Sequence, residues 1–418
     1  MSLSLIVRRS LNQHRLSTIV TVMSVALGTG LVMAVFSLLQ QAHDTFVNTP
    51  TGFDAVLGGR GSRLQLVMNS VFHLDEAPGK IRYSLLETMR KQPGVEAALP
   101  MMVGDNYYGF RIVGSTSDIF TYCETPVGRG AQVQPGGRLF DDTRAEAVVG
   151  CTVAQRTGLH VGSVFQPYHG LSFDPSSTPH NVDYLVTGVL QPTYTPLDRV
   201  ILIPIEGLWR MPGHFLADGS AAAPSHEIAD ENKEISAVLI RYSRTSGRSL
   251  EQLHRQYDYF FNKQGSVATY ASVPQVMSEF LGSFGWVVWI LGMVAWLVVV
   301  VAAGSIMAIL YNTMNERRRE FAILRALGAR RRTVVSAIVA EAATISLLGT
   351  LVGFALFFIL MAAISSTVAT QVGVWIEVWH FHPAMVFVPA AMLVLGVLAG
   401  LLPAAREYRT DVATTLAG

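Results

Sequence analysis

The stretch NERRREFAILRALGARRRTVVSAIVAEA, residues 315–342, contains seven arginines and separates two long runs of sequence without charged residues. Four such runs exist, and they lie between Arg15 and Asp44, Glu279 and Glu316, Glu341 and Glu377, and Glu377 and Arg406. Each run is long enough to cross a hydrocarbon core of about 30 Å as a helix. The sequence therefore predicts an α-helical membrane protein with four transmembrane helices.

The composition of the whole chain agrees with this class. Of 418 residues, 50% are hydrophobic and 15% are charged, and the mean hydropathy is +0.37. A soluble globular chain carries about 25% charged residues. The net charge of +1 gives no support for nucleic acid as a partner. Two cysteines exclude a disulfide-framework protein and the four-thiolate zinc modules.

The N-terminal region leaves two alternatives open. Arg8 and Arg9 ahead of the first run are typical of a signal peptide, but the apolar run is too long and no small-residue cleavage site follows. We interpret it as a retained anchor. Residues 3–14 form either a short amphipathic helix on the inner membrane surface or an ordinary basic flank.

The positions of the basic residues predict the orientation. Basic residues precede the first run, separate the second from the third and follow the fourth, at Arg8, Arg9, Arg15, Arg317–Arg319, Arg325, Arg330–Arg332, Arg406 and Arg409. Because basic loops stay in the cytoplasm, both termini and the arginine-rich loop are expected on the cytoplasmic side of a bacterial inner membrane. Three regions follow: 1–43, the N-terminus and first helix; 44–279, an extracytoplasmic domain; and 280–418, the last three helices with a cytoplasmic segment at about 316–332.

The extracytoplasmic region alternates helical and strand patterns and is expected to be a large α+β domain. Helices are predicted over residues 83–91 and 250–263, and one short helix within 145–165. Strands are predicted over 107–113, 182–190, 199–205 and 267–271, with two more flanking the short helix. Residues 169–180 and 211–232 are expected to be loops.

The arginine-rich segment contains apolar residues as well as the basic residues that fix membrane topology. Phe321, Ile323, Leu324 and Leu327 lie among the arginines, and Gly328 is well placed to end a helix. A loop that only fixes topology needs the arginines alone. Exposed apolar side chains on a cytosolic helix are unfavourable unless a partner covers them, so the pattern favours docking to another protein.

This segment resembles the cytoplasmic loop of the FtsX-like, MacB-type permeases of ABC transporters. That loop has the form N-x-x-x-E-R-x-x-E-[FI]-[GA]-I-L-[RK]-A-[LI]-G-A, which residues 312–329 closely match. The stretches AVVGCTVAQRTGLHVGSVF and VTGVLQPTYTPLDRVILIPI are similar to the extracytoplasmic domain of the same family. The resemblance implies four spans, a MacB-like core domain at 44–279 and an FtsX-like permease domain at 280–418.

The same resemblance implies partners. It indicates a dimer with a second permease copy or paralogue, and a cytoplasmic ABC ATPase that docks on a coupling helix. The residues assigned to that helix are Arg319, Glu320, Phe321, Leu324, Arg325, Leu327 and Gly328. The sequence contains no G-x-x-x-x-G-K-[ST] loop, so ATP and Mg²⁺ are expected on the partner and no cofactor on this chain.

Small residues and one carboxylate mark the membrane region. The pairs Gly349/Gly353 and Gly396/Gly400 each place two glycines on one helix face, which allows close helix packing either within the chain or between subunits. Glu341 falls near the inner end of the third span. It is either a functional intramembrane group or a structural pair, and a single carboxylate makes no proton relay.

The histidines and cysteines are candidates for metal or disulfide sites. His380 with His382, and His169 with His180, are the notable pairs, but two imidazoles fall short of the three or four ligands that zinc needs, so no metal site is predicted. A disulfide between Cys123 and Cys151 is left open. No acid–base or nucleophile constellation is apparent, and the chain is expected to be non-catalytic.

The predicted function is the permease subunit of an ABC transporter that couples ATP hydrolysis on a partner to movement of the extracytoplasmic domain. This mechanotransmission would drive efflux of a hydrophobic molecule or lipoprotein release, with the bilayer and an adaptor or lipoprotein outside as further partners. The alternative is a non-transporting regulator that activates a cell-wall hydrolase or senses an extracellular ligand.

Overall fold

The computed structural model describes residues 3–44, 52–125, 128–214, 216–221, 228–245, 247–264, 267–316, 331–371, 377–379 and 381–408. The chain divides into two compact units. The helical unit comprises residues 1–42, 284–367 and 376–418, and the α/β unit comprises residues 43–283 and 368–375.

Helices and strands alternate along the α/β unit, whereas the helical unit consists of long helices. The helices are α1 Leu3–Gln13, α2 Arg15–His43, α3 Arg63–Ser70, α4 Ser84–Arg90, α5 Ile119–Tyr122, α6 Cys151–Thr157, α7 Ile205–Trp209, α8 Leu250–Asp258, α9 Val273–Ser283, α10 Gly285–Glu316, α11 Arg331–Gln371 and α12 Ala384–Tyr408. The strands are β1 Ala55–Gly59, β2 Ile81–Arg82, β3 Val95–Tyr107, β4 Phe110–Ser115, β5 Glu124–Thr125, β6 Gly128–Arg129, β7 Glu146–Val149, β8 Val164–Phe165, β9 Tyr168–His169, β10 Tyr184–Val189, β11 Val200–Pro204, β12 Glu234–Ile235, β13 Ala237–Tyr242 and β14 Ala268–Ser272.

Helices α2, α10, α11 and α12 are long and apolar enough to cross a membrane. Their apolar windows lie within 15–43, 285–316, 335–368 and 384–401, with mean hydropathies between 2.2 and 2.6. These helices correspond to the four uncharged runs. The four apolar helices expected from the charge pattern are thus present, with a large domain between the first and the second.

Glycines bring the long helices close together. A Cβ atom added at Gly353 would lie 2.8 Å from Thr29 Cβ on α2, and one at Gly400 would lie 2.7 Å from Ala342 Cβ on α11. Gly349 faces Val25, and Gly396 faces Ser346. In the structure, both glycine pairs therefore lie at helix contacts within this chain.

A mixed sheet forms the centre of the α/β unit. Its strands run in the order β14-β1-β13-β3-β4-β11-β7-β10-β8, and β9 pairs with β3 beside that path. Most neighbours are antiparallel, but β4 with β11 and β7 with β10 are parallel. Buried side chains cover both faces, with Leu57, Ile112 and Ile203 in one cluster and Val56, Val113 and Leu202 in the other.

Several predicted elements are confirmed. α4 ends before Pro93 and Gly94, where Gly94 has φ +89°. β7, α6 and β8 follow the predicted strand, helix, glycine turn and strand, with Gly158 at φ +77°. β10, β11, β14 and α8 also lie where the pattern placed them.

The predicted single strand over residues 107–113 is wrong. Tyr107 ends β3 and Phe110 begins β4, and the two strands pair as a hairpin. Tyr108 and Gly109 turn the chain with φ values of 48° and 85°. Tyr108 thus has a left-handed conformation, which is unusual for a residue with a side chain. The aromatic residues beside it are typical of a strand, so the sequence pattern did not indicate a turn.

Candidate functional site

The residues assigned to ATPase docking lie outside the described part of the chain. Those residues are Arg319, Glu320, Phe321, Leu324, Arg325, Leu327 and Gly328. α10 ends at Glu316 and α11 begins at Arg331, so ATPase docking by the segment between them stays a prediction from the sequence.

Glu341 accepts a hydrogen bond from the N-terminal helix, α1. Ser10 of α1 donates a hydrogen bond from Oγ to Glu341 Oε1 at 2.6 Å, and Ser10 is completely buried. The amphipathic segment at the N-terminus is thus a helix whose polar side chain contacts α11. A carboxylate that is partly buried needs hydrogen-bond donors, and Ser10 supplies one, which agrees with a structural role for Glu341.

An apolar cavity of about 870 Å³ lies within the helical unit. Side chains of α2, α10 and α12 line it, and they include Phe36, Trp289, Trp296, Val388 and Met392. Its walls are almost entirely hydrocarbon, so it can accommodate apolar groups such as acyl chains or apolar side chains.

The α/β unit contains a cluster of four metal-type ligands, Asp105, His169, His180 and His214, which we call the histidine cluster. Asp105 comes directly after a bulge in β3. Val103 pairs with Val113 and Asp105 pairs with Ile112, so Gly104 is the extra residue. Because a bulge shifts the alternation of side chains, Asp105 joins the face of Ile112 instead of that of Val103.

Two of the histidines belong to one loop that is fixed to β3. His169 lies in β9 directly opposite Asp105. Asn106, completely buried, donates from Nδ2 to the carbonyl oxygen of Gly170 at 2.9 Å. The amide of His180 donates to the Pro167 carbonyl at 2.7 Å, which brings the far end of the loop back to its start. The loop predicted over 169–180 therefore places both imidazoles beside Asp105.

His214 comes from a turn after α7. Its Nδ1 lies 3.0 Å from the Leu208 carbonyl oxygen, and its amide donates to the Met211 carbonyl at 3.1 Å. A Cβ at Gly104 would lie 3.2 Å from His214 Cε1, so the absence of a side chain at the bulge makes room for the ring.

The three imidazoles converge on one oxygen atom of Asp105. Asp105 Oδ1 lies 3.1 Å from His214 Nε2, 3.3 Å from His180 Nε2 and 3.5 Å from His169 Nδ1. The Asp105 side chain is 0% exposed, His180 and His214 are about one tenth exposed, and His169 is 63% exposed. The cluster is thus buried on the Asp105 side and open to solvent on the His169 side.

Sequence reasoning paired His169 with His180 but did not connect them with Asp105 and His214. The expectation that no metal binds rested on too few ligands, and the structure supplies two more from distant segments. Of the other pair, His380 lies outside the described residues, and His382 Nδ1 accepts the amide of Ala384 at 2.9 Å, at the start of α12. The signal that could have indicated the cluster is a histidine in each of two predicted loops.

The two cysteines are separate buried thiols. Cys123 and Cys151 are 1% and 6% exposed, and they form no disulfide. Burial raises the pKa of both thiols to about 11. Thiols with such a pKa stay protonated and unreactive at neutral pH, so they offer no nucleophile.

Comparison with known proteins identifies two regions of known family in this chain. Residues 18–253 match the family model "MacB-like periplasmic core domain", which covers more than half of the chain. Residues 292–412 match "FtsX-like permease C-terminal".

Curated relatives match over shorter stretches. The pyoverdine export ATP-binding/permease protein PvdT of Pseudomonas putida is 34% identical over 121 residues, which are 29% of this chain and 17% of that protein. The macrolide export ATP-binding/permease protein MacB of Burkholderia lata is 30% identical over 180 residues, or 42% and 24% of the two chains. Among solved structures, the periplasmic region of MacB from Actinobacillus actinomycetemcomitans covers 55% of this chain and 94% of that one, at 10% identity and a TM-score of 0.34. The matched stretches span less than a quarter of these two curated relatives.

Proposed function

This chain belongs to the family of MacB-type, FtsX-like permeases, and from that membership we propose that it is the membrane subunit of an ABC transporter complex. The observation that supports the proposal is the order of its regions: a MacB-like core domain and then an FtsX-like region, together with four apolar helices. The two curated relatives, PvdT and MacB, combine ATP-binding and permease functions by name.

The proposal places ATP hydrolysis on a separate cytoplasmic protein. The support for a separate partner is the arginine-rich segment, whose apolar residues need a partner to cover them. Two copies of this chain, or this chain and a paralogue, would pair with two ATPase subunits. The chain itself would be non-catalytic.

Purification of the complex from native membranes tests this proposal. A tagged full chain should co-purify with an ABC ATPase, and its presence should stimulate ATP hydrolysis by that ATPase. Recovery of the chain without any ATPase, under conditions that preserve other transporter complexes of the same membrane, would contradict the proposal.

The proposed orientation gives a labelling prediction. In intact spheroplasts, Glu251→Cys in the α/β unit should react with a membrane-impermeant maleimide, whereas Thr333→Cys near the start of α11 should react only after lysis. Both side chains are exposed in the structure. Cys123 and Cys151 are replaced first, so that only the introduced thiol can react. The reverse pattern of labelling would contradict cytoplasmic termini.

We further propose that the cargo is handled at the outer leaflet or outside the membrane, while the helices transmit motion to the α/β unit. A polar route through the hydrocarbon would need several ionisable or amide side chains, since unpaired polar groups there are costly. The first two uncharged runs contain no Asp, Glu, Lys or Arg, and their amide side chains, Gln40, Gln41, Asn312 and Asn315, lie near the ends of the runs. Glu341 is already bonded to Ser10. The cargo would be a hydrophobic molecule or a lipoprotein that is extruded or released.

Photo-cross-linking checks where the cargo lies. A photoreactive amino acid at Trp296 or Leu351, both exposed and near the middle of α10 and α11, should capture phospholipid and no cargo during ATP turnover. The same probe at exposed positions of the α/β unit should capture cargo. Cargo trapped at Trp296 or Leu351 would show passage through the membrane.

A further inference from the structure

We propose that Asp105, His169, His180 and His214 bind one divalent transition-metal ion of the Zn²⁺ type in the α/β unit. Three imidazole nitrogens and one carboxylate oxygen are a donor set that zinc accepts. The ligand atoms all lie within 4.8 Å of one another. This inference is independent of the transport function proposed above.

The distances fit a tetrahedral ion. With metal–ligand bonds of about 2.0–2.1 Å, two ligands at neighbouring corners of a tetrahedron lie about 3.3 Å apart. The three distances from Asp105 Oδ1 to the imidazole nitrogens are 3.1, 3.3 and 3.5 Å. An ion bound to Oδ1 would draw the three imidazole nitrogens, which lie within 4.8 Å of one another, to the same spacing.

The orientation of His214 suits a metal ligand. The Leu208 carbonyl has only lone pairs, so the His214 Nδ1 that faces it carries a hydrogen. The other ring nitrogen, Nε2, then faces Asp105 Oδ1 at 3.1 Å, on the side where the ion would lie. A histidine that donates its second nitrogen to a backbone carbonyl is also the usual arrangement of a metal ligand.

The buried carboxylate of Asp105 also favours a cation at this place. Its side chain is 0% exposed, and its Oδ2 atom is buried without a hydrogen-bond partner among the described residues. Burial of a carboxylate is costly unless the charge is paired, and no lysine or arginine forms an ion pair with Asp105 in the described part of the chain. A metal ion at Oδ1 would neutralise the charge.

The number of ligands indicates what the ion does. Four protein ligands fill a tetrahedron, whereas catalytic zinc sites keep one position for water. The ion would therefore act as a clamp that joins the loop of His169 and His180 and the turn of His214 to the bulge in β3. Because His169 is 63% exposed, the ion can enter and leave from solvent without unfolding of the sheet.

Metal binding by the full chain in detergent tests the proposal. After treatment with a chelator and dialysis, the chain should take up one equivalent of Zn²⁺ with a rise in melting temperature. Co²⁺ should give the intense visible bands of a tetrahedral site without a thiolate charge-transfer band. Removal of one ligand, in His169→Ala or His214→Ala, should weaken Zn²⁺ binding at least about tenfold, because loss of a residue that only supports a metal ligand already costs about 10–100-fold.

His160→Ala provides the matched control. His160 is an exposed histidine of the same unit outside the cluster, and its substitution should leave the stoichiometry and the affinity unchanged. His169→Ala keeps the test valid if the buried variants misfold, because its side chain is largely exposed. Less than one equivalent of Zn²⁺ bound to the wild-type chain, equal affinities for wild type and His169→Ala, or an octahedral Co²⁺ spectrum would overturn the proposal.

Discussion

Replacement of Leu324 by Asp is expected to release the ATPase from the membrane subunit. If Leu324 docks on the ATPase, the aspartate would place an unpaired charge in an apolar contact. The cost of about 3 kcal/mol or more corresponds to at least about 100-fold weaker association. Co-purification of the ATPase and stimulation of its activity should both be lost, and Leu327→Asp should behave in the same way.

Val164→Asp is the control for this experiment. Val164 is an apolar side chain of the α/β unit that is 58% exposed, so a charge there is solvated and should leave association unchanged. The arginines remain in Leu324→Asp, and membrane insertion should therefore be normal. Full ATPase recovery with both Leu324→Asp and Leu327→Asp would show that the segment only fixes topology.

Gly353→Leu is expected to destabilise the helical unit strongly. A Cβ atom at Gly353 already lies 2.8 Å from Thr29 Cβ and 3.1 Å from the Ala26 carbonyl oxygen, and a leucine would force α2 and α11 apart. Overpacking of this kind costs about 1–3 kcal/mol, and more where backbone atoms block the new side chain. The melting temperature in detergent should fall by several degrees.

Gly304→Leu is the matched substitution in α10. Among the described residues, no atom beyond the adjacent backbone of α10 lies within 4 Å of a Cβ added at Gly304, so the leucine enters open space and the melting temperature should not fall. Equal stability of Gly353→Leu and wild type would mean that the contact between α2 and α11 is not a tight one.

The parts of the fold that depend on local sequence were predictable. Four apolar helices follow from the absence of charge, and the end of α4 follows from Pro93 and Gly94, since neither residue continues a helix well. The strand, helix and turn over residues 145–165 follow from alternating apolar residues and a glycine. In each case one segment contains the whole signal.

The histidine cluster was not predictable, because its geometry depends on segments far apart in the sequence. Asp105 faces the histidines only because Gly104 adds one residue to β3, and no periodic pattern shows a bulge. His214 reaches the same place through a turn after α7. The hairpin at Tyr108 was concealed for a related reason, since its aromatic neighbours are typical of a strand.

The pairing of β1 has a consequence for how the α/β unit is made. β1 lies between β13 and β14, so Ala55 pairs with Ile240 on one side and with Ser272 on the other. A chain synthesised from its N-terminus presents β1 long before either neighbour exists. Such non-local pairing slows folding and leaves an unpaired apolar strand exposed in the meantime. The sheet is complete only after β14 has been synthesised. β1 therefore has to be protected from aggregation until synthesis of the unit is almost finished.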